Sequence, residues 1–257
     1  MRASTPEFQV RLAASEADLR LAQQLRYRVF VQELGGDGAM VDHAAGLEKD
    51  RFDPFYDHLL LIDRALPEED GVVGVYRVLR ADQAAAAGQF YSEDEYDLTV
   101  LKTSGRRLLE LGRSCLAAPY RGSMAMMHLW GGLADYVERH GIDVLFGVAS
   151  FHGTDIAPLK QALSFLHHRH LAPPELRVRA QDAHFQRMDL IPESALDRRQ
   201  AMVETPALIK AYLRLGGFVG EGAFIDHAFN TTDVCLVMDT ARMNAKQARI
   251  STGRRPA

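Results

Sequence analysis

One stretch of this sequence restricts the fold more than any other: two apolar strands with an amphipathic helix between them. The first strand is LLELGRSCL at residues 108–116, and the second is the nearly all-apolar DVLFGVAS at 143–150. Such an apolar strand is typical of a sheet that is covered on both faces. The intervening helix is expected to begin at a Ser123 cap and to end at Gly141. A further helix at about 156–167 completes a predicted βαβα unit with a parallel pair of strands at its centre.

Antiparallel hairpins are predicted on both sides of this unit. HLLLID (58–63) and VVGVYRVL (72–79) are strand candidates joined by the breaker-rich turn LPEEDG, and GAFIDHAFN and DVCLVMDT form a last pair. The sequence therefore predicts an α/β fold with a mixed central β-sheet flanked by helices. We expect a single domain over residues 8–240, with an irregular insertion at about 171–204.

Composition and charge exclude several classes of protein. The net charge of −4 argues against a nucleic-acid binder, and two cysteines are too few for a disulfide framework. The N-terminal residues have no apolar signal region, and no apolar run is long enough to span a bilayer. We expect a cytoplasmic protein, or one peripheral to the inner membrane. The basic tail at 241–257 is expected to be disordered; attraction to an anionic membrane or an acidic partner is the alternative.

Two groups of charged residues stand out as candidates for chemistry. EKDRFD at 48–53 concentrates carboxylates, which fits either a solvated turn or a site for a cation. Glu110 and Arg113 are three positions apart in the first apolar strand, with Gly112 between them. A β-bulge at this glycine would bring both side chains to one face, whereas a surface ion pair is the simpler interpretation. Cys115 is expected to be a core residue.

The turn after this strand, PYRGSMA, is a weak candidate for an anion site. Backbone N–H groups at the start of the following helix can hold an anion, and Arg121 adds a charge that grips phosphate. The histidines of HHRH at 167–170 have no cysteine partners, and they fit a solvated helix end better than a metal site. We predict no metal.

At this point a family resemblance becomes visible. LELGRSCL, PYRGSMA, the helix with LWGGLADYV and DVLFGVAS resemble the acyl-carrier core of the GNAT acyltransferase superfamily. RYRVFVQEL, EKDRFD, YRVL and LELGRS together resemble the acyl-homoserine-lactone synthases. The family pattern falls on Arg28, Glu48, Asp50, Asp53, Arg77, Glu110 and Arg113. Longer segments, such as GVASFHGTD, are more similar to the bacterial ornithine N-acyltransferases of ornithine-lipid synthesis.

The resemblance implies an N-acyltransferase that moves a 3-hydroxyacyl group from acyl carrier protein to the α-amine of L-ornithine. Glu110 would act as the base and Arg113 would position it or the donor's phosphate. Glu48, Asp50 or Asp53 would bind ammonium groups, and Arg28 or Arg77 would hold the acceptor's carboxylate. An acyl-homoserine-lactone synthase that uses S-adenosylmethionine is one alternative, and a non-catalytic acyl-binding or membrane-active protein is the other.

The donor half of the site follows from the same resemblance. The expected contacts to its phosphopantetheine arm are Tyr120, Arg121, Gly122, Ser123, Ser150 and His152. RGSMA lacks the second glycine of the usual GNAT loop, which fits a carrier-protein donor that has no nucleotide. Beyond the donor's own 4'-phosphopantetheine we expect no cofactor. Arg106 and Arg107 are predicted to dock the acidic carrier protein; solvation of a loop is the alternative.

Overall fold

The computed structural model describes residues 5–242. Its strands are β1 Phe8–Leu12, β2 Asp57–Asp63, β3 Val72–Arg80, β4 Tyr96–Asp97, β5 Leu108–Leu116, β6 Val144–His152, β7 Arg179–Ala180, β8 Phe185–Gln186, β9 Phe218–Val219, β10 Ala223–Asp226 and β11 Thr231–Asp239. Its α-helices are α1 Glu16–Arg26, α2 Ala81–Ala87, α3 Thr99–Lys102, α4 Ala125–His140, α5 Lys160–His170, α6 Arg198–Glu204 and α7 Ala207–Arg214.

The described chain forms two compact units. The first holds residues 5–87 and 111–141, and the second holds 88–110 and 142–242. Strand β5 contributes to both, because the division falls after Glu110. The expectation of one domain over residues 8–240 stays a prediction.

The first unit is built on a sheet in which β2 pairs antiparallel with both β1 and β3. Its strands lie in the order β1-β2-β3-β5, and the hairpin of β2 and β3 turns at LPEEDG as predicted. The Ser15 side chain accepts the Asp18 N–H and so caps α1, which packs on β3, while α4 packs on β1 and β2. The core between α1 and the sheet includes Ala22, Leu25 and Val75. Cys115 belongs to it, as expected, and burial raises the pKa of its thiol to about 12.

The second unit carries the parallel pair. Strand β5 pairs with β6 over three positions, Leu108–Glu110 with Val144–Phe146, and not over the full length of either strand. The other edge of β6 pairs antiparallel with β11 along its whole length, from Val144 to His152. Strands β10 and β8 follow in order, and β9 also pairs with β11. Together with α5 and α7, which contact β9 and β11, this confirms the predicted mixed α/β architecture.

Several boundaries differ from the expectation. Helix α5 begins at Lys160, directly after the 3₁₀ turn Ala157–Leu159, which the prediction counted as part of the helix. The predicted irregular stretch at 171–204 contains 3₁₀ turns, the short strands β7 and β8, and α6. The basic tail lies outside the described residues except for Ala241 and Arg242, which belong to a 3₁₀ turn. Within residues 5–242, no helix has the length and apolar character needed to cross a bilayer.

Candidate active site

The first unit contains a network of buried charges around the EKDRFD segment. Arg26 and Arg77 are completely buried, and Glu48 and Asp53 are almost so. Arg26 donates from Nε to Glu48 Oε2 at 2.5 Å and from Nη1 to Asp53 Oδ1 at 2.7 Å. Arg77 Nη1 donates to the same Asp53 oxygen at 2.8 Å and to Asp50 Oδ2 at 2.7 Å. The three acids of EKDRFD therefore lie inside the fold against arginines, and the interpretation of this segment as a solvated turn is wrong.

Arg113 completes this network from β5. Its Nε donates to Glu48 Oε1 at 3.1 Å, and its Nη2 lies 3.5 Å from Asp50 Oδ2. Arg113 has φ +49°, a left-handed conformation that non-glycine residues seldom adopt, so the strand is distorted here. The expected irregularity therefore occurs one residue after Gly112, and it directs the guanidinium toward the acids.

The network is balanced in charge, which decides what it can bind. Three arginines (Arg26, Arg77 and Arg113) face three carboxylates (Glu48, Asp50 and Asp53). Burial tends to raise the pKa of Asp53, but the charges of Arg26 and Arg77 outweigh it and hold that pKa well below its usual range. All three acids are already paired with arginines, which leaves them little capacity to bind a further ammonium group.

Gln23, His58 and Tyr56 add further contacts to the network. The Gln23 amide donates to Asp53 Oδ2 at 2.9 Å, and His58 Nε2 lies 3.1 Å from the Asp53 carbonyl oxygen. The Arg77 guanidinium lies 4.1 Å from the centre of the Tyr56 ring, in a cation–π contact. Of the charged members, Asp50 and Arg113 reach solvent, with side chains 18% and 14% exposed.

The arginine predicted at position 28 is not part of this network. Arg28 is exposed, and Arg26 occupies the buried place beside Glu48 and Asp53. Arg26 is the last residue of α1, and a π-helix begins at Tyr27, so the two arginines lie on different faces. Their positions in RYRVFVQEL do not show which of the two arginines is buried. The apolar spacing of Ala22, Leu25 and Val29 could have done so, because Arg26 lies on that buried face.

Glu110 is held by backbone N–H groups. It is fully buried, and its carboxylate accepts the N–H of Tyr91 at 2.8 Å and of Ser92 at 2.6 Å. These donors begin the one-turn 3₁₀ helix Tyr91–Asp94. Glu110 is therefore held in one orientation.

The side chains of the PYRGSMA turn are bound to distant carboxylates and to neighbouring backbone. The Tyr120 hydroxyl donates to Asp63 Oδ2 at 2.7 Å, and Ser123 Oγ donates to the Tyr120 carbonyl at 2.6 Å. Arg121 Nη2 pairs with Glu33 at 2.6 Å, and Gly122 has φ +75°. Helix α4 begins at Ala125 with Met124 at the N-cap, so the prediction of a Ser123 cap is wrong by one residue. Ser123 Oγ nevertheless accepts the Ala125 N–H at 3.2 Å.

The remaining predicted residues lie in the second unit. Ser150 and His152 are exposed near the end of β6. The guanidinium of Arg106 makes two bonds to Asp239, at 2.7 and 3.1 Å, whereas the side chain of Arg107 is 66% exposed and lies 3.4 Å from Asp143. Of the two arginines, Arg107 is thus the better placed to meet a partner. Their roles stay predictions.

Comparisons with known proteins give the family context. A model described as an acetyltransferase (GNAT) domain matches residues 25–131. The chain is 59% identical to an L-ornithine N(alpha)-acyltransferase of Rhodobacter capsulatus over 256 residues, which cover 99% of this chain and 98% of the relative. A Brucella abortus protein of the same name is 46% identical over 243 residues, with 93% and 86% coverage.

Solved structures agree on the fold. The AHL synthase LasI superposes with a TM-score of 0.54 at 16% identity and covers 98% of both chains. An N-acyl amino acid synthase from uncultured soil microbes, FeeM, superposes with a TM-score of 0.52 at 12% identity, and the match covers 93% of both chains. Identities this low establish the architecture alone, and with the domain match they confirm the predicted GNAT-type fold.

Proposed function

Because the chain belongs to the L-ornithine N(alpha)-acyltransferase family and is therefore an acyltransferase, we propose that it acylates the α-amine of L-ornithine. The acyl group is a 3-hydroxyacyl chain, the donor is acyl carrier protein, and the product is a lyso-ornithine lipid. The observation that carries this proposal is the high identity to relatives of that name along nearly the whole chain. The resemblance on which the sequence prediction depends is thereby confirmed.

The reaction needs no covalent enzyme intermediate, and the α-ammonium loses two protons in it. After the first is removed, the neutral amine attacks the thioester carbonyl and a C–N bond forms. The nitrogen then loses its second proton, the C–S bond breaks, and that proton neutralises the leaving thiolate of the carrier, directly or through water. Glu110 is the proposed base that takes a proton of the α-ammonium, directly or through water. Its burial and its two fixed N–H bonds support this role by holding the carboxylate in one orientation.

The arginine–carboxylate network has a positioning role in this proposal. It ties Arg113 of β5 to Glu48 and thereby stabilises the distorted backbone that follows Glu110 and Gly112 in the chain. Its solvent-reaching members, Asp50 and Arg113, are the ones that can contact a substrate, with Arg113 suited to the acceptor's carboxylate.

The donor arm is proposed to meet the PYRGSMA turn and the end of β6. Tyr120, Arg121, Gly122 and Ser123 would face its phosphate, and Ser150 and His152 would contact the pantetheine. Since the donor brings its own 4'-phosphopantetheine, the reaction needs no further cofactor.

Thiol release tests the function. Purified protein is given 3-hydroxyacyl carrier protein with ornithine, with S-adenosylmethionine, or with neither, and free thiol is measured. Release that depends on ornithine, together with an acylated ornithine seen by mass spectrometry, is the expected result. Release that depends on S-adenosylmethionine instead would overturn the proposal in favour of lactone synthesis. Absence of release with either amine would overturn both acceptors.

A further inference from the structure

Ornithine carries two amines, and the network of the first unit has no carboxylate to spare for the second. Glu48 and Asp53 are each paired with two arginines, and Asp50 is paired with Arg77 and Arg113. An ammonium that leaves water needs acceptors of its own, and ionised carboxylates are the strongest. The second amine therefore needs acids outside this network.

A group of acids in the second unit meets this need. Glu95, Asp226 and Asp233, called here the carboxylate trio, each offer one oxygen, and the three oxygens lie within 4.8 Å of one another. Glu95 and Asp233 are 5% and 3% exposed, whereas Asp226 is partly open to solvent. Across residues 5–242, no ion pair joins Asp226 or Asp233 to a lysine, arginine or histidine.

The second observation is a buried acceptor atom that lacks a hydrogen-bond partner. Asp233 Oδ2 accepts the Thr231 hydroxyl at 3.2 Å, and Ser150 and Glu95 also lie close to this carboxyl, but Oδ1 is buried and has no hydrogen bond of ordinary geometry within the described chain. Buried polar atoms are nearly always satisfied, so such an oxygen points to a ligand. Burial is the main cause that raises the pKa of Asp233 to about 6, and the charge of Asp226 adds to it, whereas hydrogen bonds with Ser150, Thr231 and Glu95 oppose it.

The backbone holds the trio in place without any ligand. The hydroxyl of fully buried Tyr96, the residue after Glu95, donates to the carbonyls of Gly222 at 3.0 Å and Asp233 at 2.9 Å. This attaches Glu95 to the hairpin of β10 and β11. Asp226 Oδ1 accepts the N–H groups of Ala228 and Phe229, which fixes the third carboxylate.

The trio is close to the proposed base within the same unit. The helix Tyr91–Asp94 donates its first N–H groups to Glu110, and Glu95 follows its last residue. Burial raises the pKa of the Cys235 thiol, and the charges of Glu110 and Glu95 raise it further, so both acids lie near this side chain. Cys235 and Asp233 point to the same face of β11, because strand side chains alternate.

We propose that Glu95, Asp226 and Asp233 bind the side-chain ammonium of the acceptor and so select a dibasic amino acid. This inference rests on the proposed function. An ammonium with three acceptors at about 2.8 Å in tetrahedral directions separates their oxygens by roughly 4.6 Å, which agrees with the spacing of the trio. The open side at Asp226 is the entrance, and the buried pair Glu95 and Asp233 forms the end of the site.

Paired substrates test the site. Norvaline has the carbon chain of ornithine without the side-chain amine. Asp226→Asn and Asp233→Asn should lower kcat/KM for ornithine roughly 10- to 100-fold, mainly through KM, the scale of a lost charged hydrogen bond. The value for norvaline should change less than about threefold. Asp189→Asn, which removes a 40% exposed carboxylate of the same unit, is the matched control and should leave both values unchanged.

Three results would overturn the inference. Equal losses with ornithine and norvaline would mean that the trio only supports the fold, and unchanged selectivity would mean that the ammonium binds elsewhere. Binding of Mn²⁺ that is seen by electron paramagnetic resonance and lost in both variants would make the trio a metal site. Calorimetry with ornithine and norvaline, without a donor, keeps the inference separate from the proposed function. Ornithine binding that weakens in Asp226→Asn supports the site even if thiol release fails.

Discussion

Glu110 makes the sharpest prediction at the residue scale. Glu110→Gln keeps the shape of the side chain and removes the proton acceptor, so turnover should fall roughly 100-fold or more. One buried N–H would then face an amide NH₂ group, which we expect to lower the melting temperature modestly. Steady-state thiol release and thermal unfolding measure the two effects separately.

An exposed acid provides the control for that experiment. Glu69→Gln changes an exposed carboxylate in the turn between β2 and β3 and should leave turnover unchanged. Near-normal turnover of Glu110→Gln at neutral pH would remove Glu110 from the role of base and leave it as an anchor for the helix Tyr91–Asp94.

Asp233 predicts an unusual pH dependence of stability. Its pKa of about 6 in the fold is above the ordinary 3.8, so between these values the folded chain keeps a proton that the unfolded chain releases. The free energy of unfolding should therefore fall through this window as pH rises. Asp233→Asn has no such carboxyl, so its free energy of unfolding should rise relative to that of the parent by on the order of 2–3 kcal/mol between pH 4 and pH 7. Denaturant unfolding at both pH values measures it, and a pH-independent difference would contradict it.

The sequence predicted the acids of the network better than its arginines. EKDRFD stands out as a cluster of charges, and a carboxylate cluster needs cations wherever it is buried. Which arginine pairs with these acids depends on which side chain the helix directs toward the core. The change from α-helix to π-helix at Tyr27 alters the direction of successive side chains between Arg26 and Arg28. The carboxylate trio left no signal, because its members are up to 138 positions apart and meet only through sheet pairing.

At the scale of elements, the packing of α4 on the first sheet depends on a glycine. Gly132 lies in α4, and a Cβ there would overlap the side chain of Val10 and come 3.4 Å from Leu59. Alanine normally stabilises a helix interior by about 1 kcal/mol, but here we expect Gly132→Ala to destabilise by roughly 1–3 kcal/mol. A double-mutant cycle with Val10→Ala measures the cause. Additive effects would show that the helix and β1 do not meet at this point.

Helices and strands are predictable from the sequence where they are long. LLELGRSCL corresponds to β5 without an error at either end, and the hairpin of β2 and β3 falls where its turn residues place it. The last hairpin also forms, but its turn lies at residues 227–230, inside the predicted strand GAFIDHAFN. The sequence does not predict separate elements at 171–204, because β7 and β8 are two residues long and are defined by their pairing with distant strands. No local period can reveal such pairs.

At the scale of the whole molecule, the net charge bears on how the protein binds an acyl carrier protein donor. The chain carries a net charge of −4, so an acidic carrier protein gains nothing from the overall field and needs local basic residues. Arg107→Glu should lower kcat/KM for acyl carrier protein about 3- to 10-fold at low ionic strength. Salt should shrink the effect, because the screening length is only about 10 Å at 0.1 M. A small acyl-pantetheine donor should be unaffected.

Two variants make this measurement specific. Arg106→Glu would oppose Asp239 and damage the fold, which is why Arg107 is reversed alone. Arg199→Glu, at an exposed position of α6 in the same unit, controls for a general change of charge. Equal losses with the carrier protein and the small donor would refute docking at Arg107.

The network of Arg26, Arg77 and Arg113 also constrains the order in which the chain can fold. Glu48 lies 22 positions after Arg26 and 65 before Arg113, and residues 88–110 of the other unit intervene. A half-assembled network would bury charges without partners, at a cost of about 3–5 kcal/mol for each broken pair. We therefore expect the first unit to stay open during synthesis until β5 has left the ribosome, and then to close in one cooperative step.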